Sequence, residues 1–248
     1  VPTDDTVLSS ASAWSVHDIE WDLTSDVVVV GSGAAGLSAA VTAAAEGASV
    51  IVLERAGALG GTTAKSGGGM WIPNNPLMQE QGLADPRAEA LDYMSRIAFP
   101  DRYDRDAPTH GVPTAELALL ETFYDRGAEA VQVLVDAGGL YLNRERGHIF
   151  PDYHADLPQN AAPIGRSFGP AMPPEQELAA GQAVNANLPG GTILIEVLRQ
   201  AAKARGVKLL LGHRVVHVHQ DDDGAVVGVE VHAGRGRGTV LVGARRGV

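Results

Sequence analysis

No cysteine occurs among the 248 residues. That excludes a disulfide framework, a thiolate metal site and a catalytic thiol, though it does not fix the compartment. Positive charge is also scarce. Nineteen Lys and Arg stand against 30 Asp and Glu, a formal net charge of -11 at pH 7. The deficit argues against a nucleic-acid partner, because such binding rests on neutralising phosphates. No apolar run approaches the roughly 18 residues of a membrane span. Disorder is excluded too: 45% of residues are hydrophobic and 20% charged, the balance of a chain that can bury a core. A cytoplasmic protein is expected, with membrane association left open. The chain opens on Val1, which also leaves a removed targeting segment open.

Glycine is what the chain has in quantity, 30 residues beside 14 prolines. Much of it lies in two clusters, 31–36 and 60–69. Clustering near the N-terminus points to backbone approaching a ligand. Residues 1–24 read as a polar arm pinned by Trp14 and Trp21, and 25–248 as the folded domain. The run DVVVV over 26–30 fits a strand buried on both faces, as in a parallel sheet. An alanine-rich helix follows over 37–46, stopped by Gly47, and SVIVL over 49–53 is a second buried strand. Strand, glycine turn, helix and strand make a βαβ unit.

Helical spacing returns over 87–97 and 115–137, where Leu117, Leu120, Phe123 and Tyr124 form an apolar stripe. Residues 144–189 are irregular and proline-rich, a long loop of the kind that carries function, and are expected to face the active site. A helix over 191–205 precedes strands over 207–211, 215–220, 225–232 and 239–242. Asp221, Asp222, Asp223 and Gly224 read as a turn, since they lack the spacing of a calcium loop. His213, His217 and His219 read as solvent-facing strand residues rather than metal ligands, having no carboxylate at matching spacing. The glycine–arginine alternation over 234–238 reads as a hairpin turn. Arg245 to Val248 looks like the approach to a further strand, so the chain is expected to be a fragment or one piece of a two-chain enzyme.

The chemistry starts at Gly31-Ser32-Gly33-Ala34-Ala35-Gly36, which follows a strand and opens a helix. Gly31 permits the tight turn, Gly33 admits a pyrophosphate, and Gly36 lets helix and strand pack closely. The helix start offers N–H groups and partial positive charge to a diphosphate. Glu54 ends the second strand, eighteen residues after Gly36, placed to accept hydrogen bonds from an adenosine ribose, with Arg55 beside it. Two features favour FAD over NAD. Ala40 and Gly47 extend the glycine pattern, and a second loop carries Gly60, Gly61, Thr62, Thr63, Ser66, Gly67, Gly68 and Gly69. That loop can run along a diphosphate and ribityl chain, presenting N–H and hydroxyl groups.

These segments, with SGGGMWIPNN, Phe150-Pro151-Asp152-Tyr153-His154 and the stretch from Gly190 to Val216, resemble the fumarate reductase and 3-ketosteroid dehydrogenase flavoprotein superfamily. They are closest to its 3-ketosteroid Δ1-dehydrogenase branch. The resemblance implies an α/β fold: a Rossmann-like FAD-binding domain with a parallel sheet plus a β-meander, incomplete without a C-terminal half. It implies that the backbone at Val215 contacts adenine and that Tyr153 lines the substrate site. Covalent flavin attachment in such enzymes uses a histidine beside the threonine pair. GGTTAKSGGG has none, so FAD is expected to be non-covalent.

The implied reaction removes two hydrogens from adjacent carbons beside a ketone, on a steroid-like substrate. A tyrosinate-type base takes a proton acidified by the ketone, and the flavin takes a hydride. The family's base and its carbonyl-polarising tyrosine fall in later segments, so this chain alone is expected not to turn over. A fumarate-type reductase, with Arg166 helping to clamp a dicarboxylate, and a non-catalytic FAD-binding subunit with a companion chain are the alternatives. The sequence names no electron acceptor.

Overall fold

The computed structural model describes residues 19–142, 149–162, 164–173, 189–234 and 238–248. Trp14, much of the 144–189 loop and Arg235 to Arg237 lie outside them.

The βαβ unit forms as β1 (Leu23–Val30), α1 (Ala34–Ala45) and β2 (Val50–Glu54). A short 3-10 turn (Thr63–Lys65), β3 (Met70–Trp71), α2 (Pro76–Glu80), α3 (Arg87–Ala98) and α4 (Thr114–Asp136) follow. Next come β4 (Ile149–Phe150), β5 (Ser167–Phe168) and α5 (Gly190–Ala204), then β6 (Lys208–Leu211), β7 (His213–Gln220), β8 (Val226–Ala233) and β9 (Thr239–Gly247). The main sheet runs β6-β2-β1-β9-β8-β7. Its first four strands pair in parallel, and β9, β8 and β7 form an antiparallel meander. A parallel sheet plus meander is the architecture the sequence implies.

The apolar runs of β1 and β2 are continuous because both faces are buried. Val29, Val50 and Val52 pack with Leu37, Ala40 and Val41 of α1 and Leu194, Leu198 and Ala202 of α5. Val28, Ile51 and Leu53 face the other way, into a cluster with Val229, Val231, Val242 and Ala244. Each buried valine, leucine or isoleucine among them contributes roughly 1.5–3 kcal/mol by leaving water.

Two expectations change. β1 begins at Leu23, because Leu23 and Thr24 pair with Val242 and Gly243, so the arm stops short of residue 24. Trp21 does pin that segment: its indole lies across Gly228 and Gly243, where any Cβ would meet the ring. β9 runs on to Gly247, which pairs with Val27. Arg245 and Arg246 therefore belong to a strand inside the sheet, and Arg245 is held by Asp26 at 3.1 Å. The α4 stripe does not sit in the core. Leu117, Leu120 and Tyr124 are half-buried, Phe123 is exposed, and only Gly127 and Val131 of α4 are buried.

The expected turn at Asp221 forms, with Asp221 Oδ1 accepting from the backbone N–H of Asp223 and Ala225. His217 and His219 stack edge to face at 4.8 Å, and His219 lies beside Trp21. Among the described residues no three metal-ligating side chains converge, and no helix is long and apolar enough to cross a membrane.

Candidate functional site

The two glycine clusters meet at the C-terminal edge of β1 and β2, where α/β sheets place their ligands. Gly31 turns the chain at φ +93°, and a Cβ on Gly36 would strike the Gly31 carbonyl, so α1 closes directly onto the turn. Ser32 is fully buried and ties three segments. Its Oγ donates to Glu54 Oε2 at 2.6 Å and accepts from Gly60 N–H at 3.0 Å, while its own N–H donates to the same carboxylate oxygen. Thr63 Oγ1 accepts from Ala34 N–H at the start of α1. The second loop is thus bonded to the first at two points.

Val30, Gly31, Ser32, Gly33, Leu53, Glu54, Arg55, Gly61, His213, Arg214 and Val215 line a cavity of about 400 Å³. Glu54 is 7% exposed. Burial alone would raise its pKa, but hydrogen bonds from Ser32 and Ala56 hold it below the ordinary glutamate value. Among the described residues three N–H or O–H groups reach its two oxygens, which leaves lone pairs for a ligand hydroxyl. Glycine backbone at a helix N-terminus with an acid on the opposite wall fits an adenosine diphosphate group. The sequence missed His213 and Arg214 here; His213 was read as facing solvent.

The loop then continues into a second, larger cavity of about 780 Å³, where Ser66, Gly67, Gly68 and Gly69 form one wall. The opposite walls are apolar and aromatic: Trp71, Tyr93, Met94, Ile97, Leu120 and Phe123. Trp71 stacks on Phe123 at 6.1 Å and on Tyr93 at 6.2 Å. Leu120 and Phe123 of the α4 stripe therefore face this cavity. Burial pushes the Tyr93 phenol up from its ordinary pKa, so it stays neutral at neutral pH. Tyr153 also lines this cavity and is 100% exposed.

Of the candidate residues, Gly31, Ser32, Gly33, Glu54, Arg55, Gly61 and Val215 line the smaller cavity, and Ser66 to Gly69 and Tyr153 line the larger. Ala34, Ala35, Gly36, Gly60, Thr62 and Thr63 line neither. What the sequence did not reveal is how the loop is gripped. Gly191 N–H donates to Ser66 O at 3.0 Å, and Thr192 Oγ1 donates to Ala64 O at 2.8 Å. The GGT triplet at 190–192 was the available signal, read there only as a helix start.

Arg166 requires a correction. It is 0% exposed. Nε and Nη2 hold Asp85 in a two-point pair at 2.9 Å, and Nη1 binds Asp152 Oδ2 at 2.6 Å. Burial works against its charge, yet the two carboxylates hold its pKa above the ordinary arginine value. Fully buried and held by Asp85, Asp152 and Asn160, this guanidinium does not line the cavity and is not presented to a dicarboxylate. Among the described residues lining the larger cavity, none is arginine or lysine.

Comparison with known proteins agrees with this layout. The family model described as FAD binding domain matches residues 26–248. A 3-oxosteroid 1-dehydrogenase of Mycolicibacterium smegmatis is 41% identical over 145 residues, 58% of this chain and 23% of that protein. Among solved structures, the 3-ketosteroid Δ4-(5α)-dehydrogenase of Rhodococcus jostii in complex with 4-androstene-3,17-dione is 28% identical. It superposes with a TM-score of 0.71 over 94% of this chain and 47% of its own. The 3-ketosteroid Δ1-dehydrogenase of Sterolibacterium denitrificans is 26% identical, with a TM-score of 0.65 over 91% of this chain and 47% of its own. The chain thus spans about a quarter of the curated relative and about half of each solved one.

Proposed function

Because this chain belongs to the FAD binding domain family, we propose that it is the cofactor-binding part of a dehydrogenase acting beside the ring ketone of a 3-ketosteroid. The observation that carries the reading is the larger cavity. It is mainly apolar and aromatic-walled, its lining carries no arginine or lysine among the described residues and His154 as its one histidine, and it opens on the flavin loop. At about 780 Å³ it lies in the range of pockets that enclose a drug-sized polycyclic ligand. A fumarate-type reaction needs cations to hold two carboxylates, and Arg166 is already spent on Asp85 and Asp152.

In this reading the smaller cavity holds the adenosine diphosphate of FAD. Glu54 accepts from the ribose, the N–H groups at the start of α1 and Thr63 meet the diphosphate, and the backbone at Val215 meets adenine. Residues 60–69 lead from there to the substrate cavity. FAD supplies the two-electron acceptor. The aromatic walls hold the ring system and exclude water, which strengthens any polar contact to the ketone oxygen. Tyr153 supports the group that takes the proton. Steady-state assays of the full-length protein on a 3-ketosteroid, with succinate and fumarate in parallel, test the assignment. Turnover of the steroid alone is expected; turnover of the dicarboxylates alone would reverse it.

FAD is expected to be held without a covalent bond, since no histidine adjoins Thr62 and Thr63. Acid precipitation should release all the yellow colour to the supernatant. Flavin retained in the pellet would refute the claim.

Glu54→Ala is expected to weaken FAD binding roughly ten- to a hundred-fold, at about 1.5–3 kcal/mol for charge-assisted hydrogen bonds. The variant also strands the Ser32 and Ala56 donors. The pH dependence follows in sign. A carboxylate whose folded pKa is depressed stabilises the fold above its unfolded pKa, and that stability is lost as pH falls through the folded value. The window therefore lies below the ordinary value of 4.5. Wild-type thermal stability should drop there, and the drop should be smaller in Glu54→Gln. Identical pH profiles would show that the carboxylate is not the group titrating.

A further inference from the structure

We propose that Asp152 is the positioning residue of the substrate cavity, fixing Tyr153 and the Trp71 wall to one point. The inference rests on the larger cavity being the substrate site. Asp152 is buried, directly precedes Tyr153, and takes three donors from two distant segments. Its Oδ1 accepts from Trp71 Nε1 at 2.8 Å and from the Arg166 backbone N–H at 3.0 Å, and its Oδ2 accepts from Arg166 Nη1 at 2.6 Å.

The surroundings make this junction stiff. The Arg166 guanidinium lies 4.8 Å from the Tyr93 ring centroid and 5.5 Å from that of Trp71, so the cation is held between two cavity walls. Its other end is fixed by Asp85, whose Oδ2 also accepts from Asn74 N–H. A Cβ on Gly165 would strike the Phe150 carbonyl, which keeps the Arg166 strand tight against the segment that bears Tyr153. The Tyr153 ring is wholly exposed, so no packing of its own fixes its place. Its aim depends on the flanking backbone, anchored at Asp152 on one side and by the His154 N–H on the Tyr93 hydroxyl on the other. Asp85 and Asp152 both neutralise Arg166, but only Asp152 connects that cation to the Tyr153 segment.

The absence of native cysteine permits a direct test. Spin labels placed by Tyr153→Cys and by Leu119→Cys on the exposed face of α4 report the distance between the loop and the cavity wall. Asp152→Asn keeps the shape but turns one acceptor into a donor facing N–H groups. It should broaden that distance distribution, whereas Asp85→Asn should leave it narrow. Trp71→Phe deletes a single donor to Asp152 without stranding a charge, and should broaden it less, which covers the case in which Asp152→Asn does not fold. An unchanged distribution in the folded Asp152 and Trp71 variants would overturn the proposal. So would equal broadening by Asp85→Asn, because that marks a merely structural ion pair.

In the full-length enzyme with Tyr153 intact, Asp152→Asn should lower kcat/KM about ten- to a hundred-fold at unchanged FAD content, the scale for a misaimed group. Wild-type kcat/KM in a folded Asp152→Asn enzyme would contradict the proposal. If the wild type fails to turn over a 3-ketosteroid, the functional reading fails, and the label distances still decide the role of Asp152.

Discussion

Gly191→Ala is expected to empty the cofactor site. A Cβ at this position falls on the Thr63 carbonyl oxygen and comes within 2.7 Å of Ser66 Oγ and 2.8 Å of Ser66 O. Two of these three atoms are backbone and cannot rotate away. Either α5 retreats or the flavin loop leaves it, and both outcomes break the Gly191–Ser66 and Thr192–Ala64 hydrogen bonds. Overpacking costs about 1–3 kcal/mol and each lost bond about 1 kcal/mol. Together that is about 4 kcal/mol, or roughly a thousand-fold in FAD affinity if the cost falls on the loop. Titration of the apoprotein with FAD measures it. Thr192→Val removes one bond without a clash and should cost about five-fold. Wild-type affinity in Gly191→Ala would mean the loop reaches FAD without the grip of α5.

Tyr153→Phe carries the second large effect, this time on turnover. The ring stays and only the hydroxyl goes. Because the side chain is fully exposed, the substitution removes no packing and should change stability by less than about 0.5 kcal/mol. A fall in rate therefore reports chemistry. The proposed role is a hydrogen bond that eases proton loss from the catalytic base, and the expected drop in kcat is roughly ten- to a thousand-fold. FAD content should not change, since Tyr153 does not line the smaller cavity. Wild-type rates in the Phe variant would leave Tyr153 as no more than part of the cavity rim.

The parts of the fold legible in the sequence are those written in local pattern. β1, α1 and β2 come from an unbroken β-branched run, an alanine-rich helix and a second such run, and the glycines between them carry the nucleotide site. The extension of β9 was hidden because Gly243, Arg245 and Arg246 break its apolar run. It is held by parallel pairing with β1, by Trp21 over Gly243 and by Asp26 on Arg245, and each of these partners is more than two hundred residues away. The apolar stripe of α4 was legible, but helical periodicity marks such a face without saying whether core or cavity meets it. The β3-β5-β4 sheet, in that order, has two-residue strands and no period to detect. Least legible was the buried Asp85–Arg166–Asp152 junction. Its charges lie 81 and 14 positions apart, and no local pattern in the sequence pairs them.

The central claim is that the cavity beside the flavin loop takes a ring ketone and that FAD receives its electrons. Anaerobic mixing of the full-length, FAD-loaded protein with a saturated 3-ketosteroid tests it in a single turnover. The account predicts that the steroid bleaches the yellow flavin absorbance and emerges with a new double bond beside the ketone, while succinate leaves the flavin oxidised. Bleaching by succinate with none by the steroid would contradict it, as would a purified protein that carries no flavin.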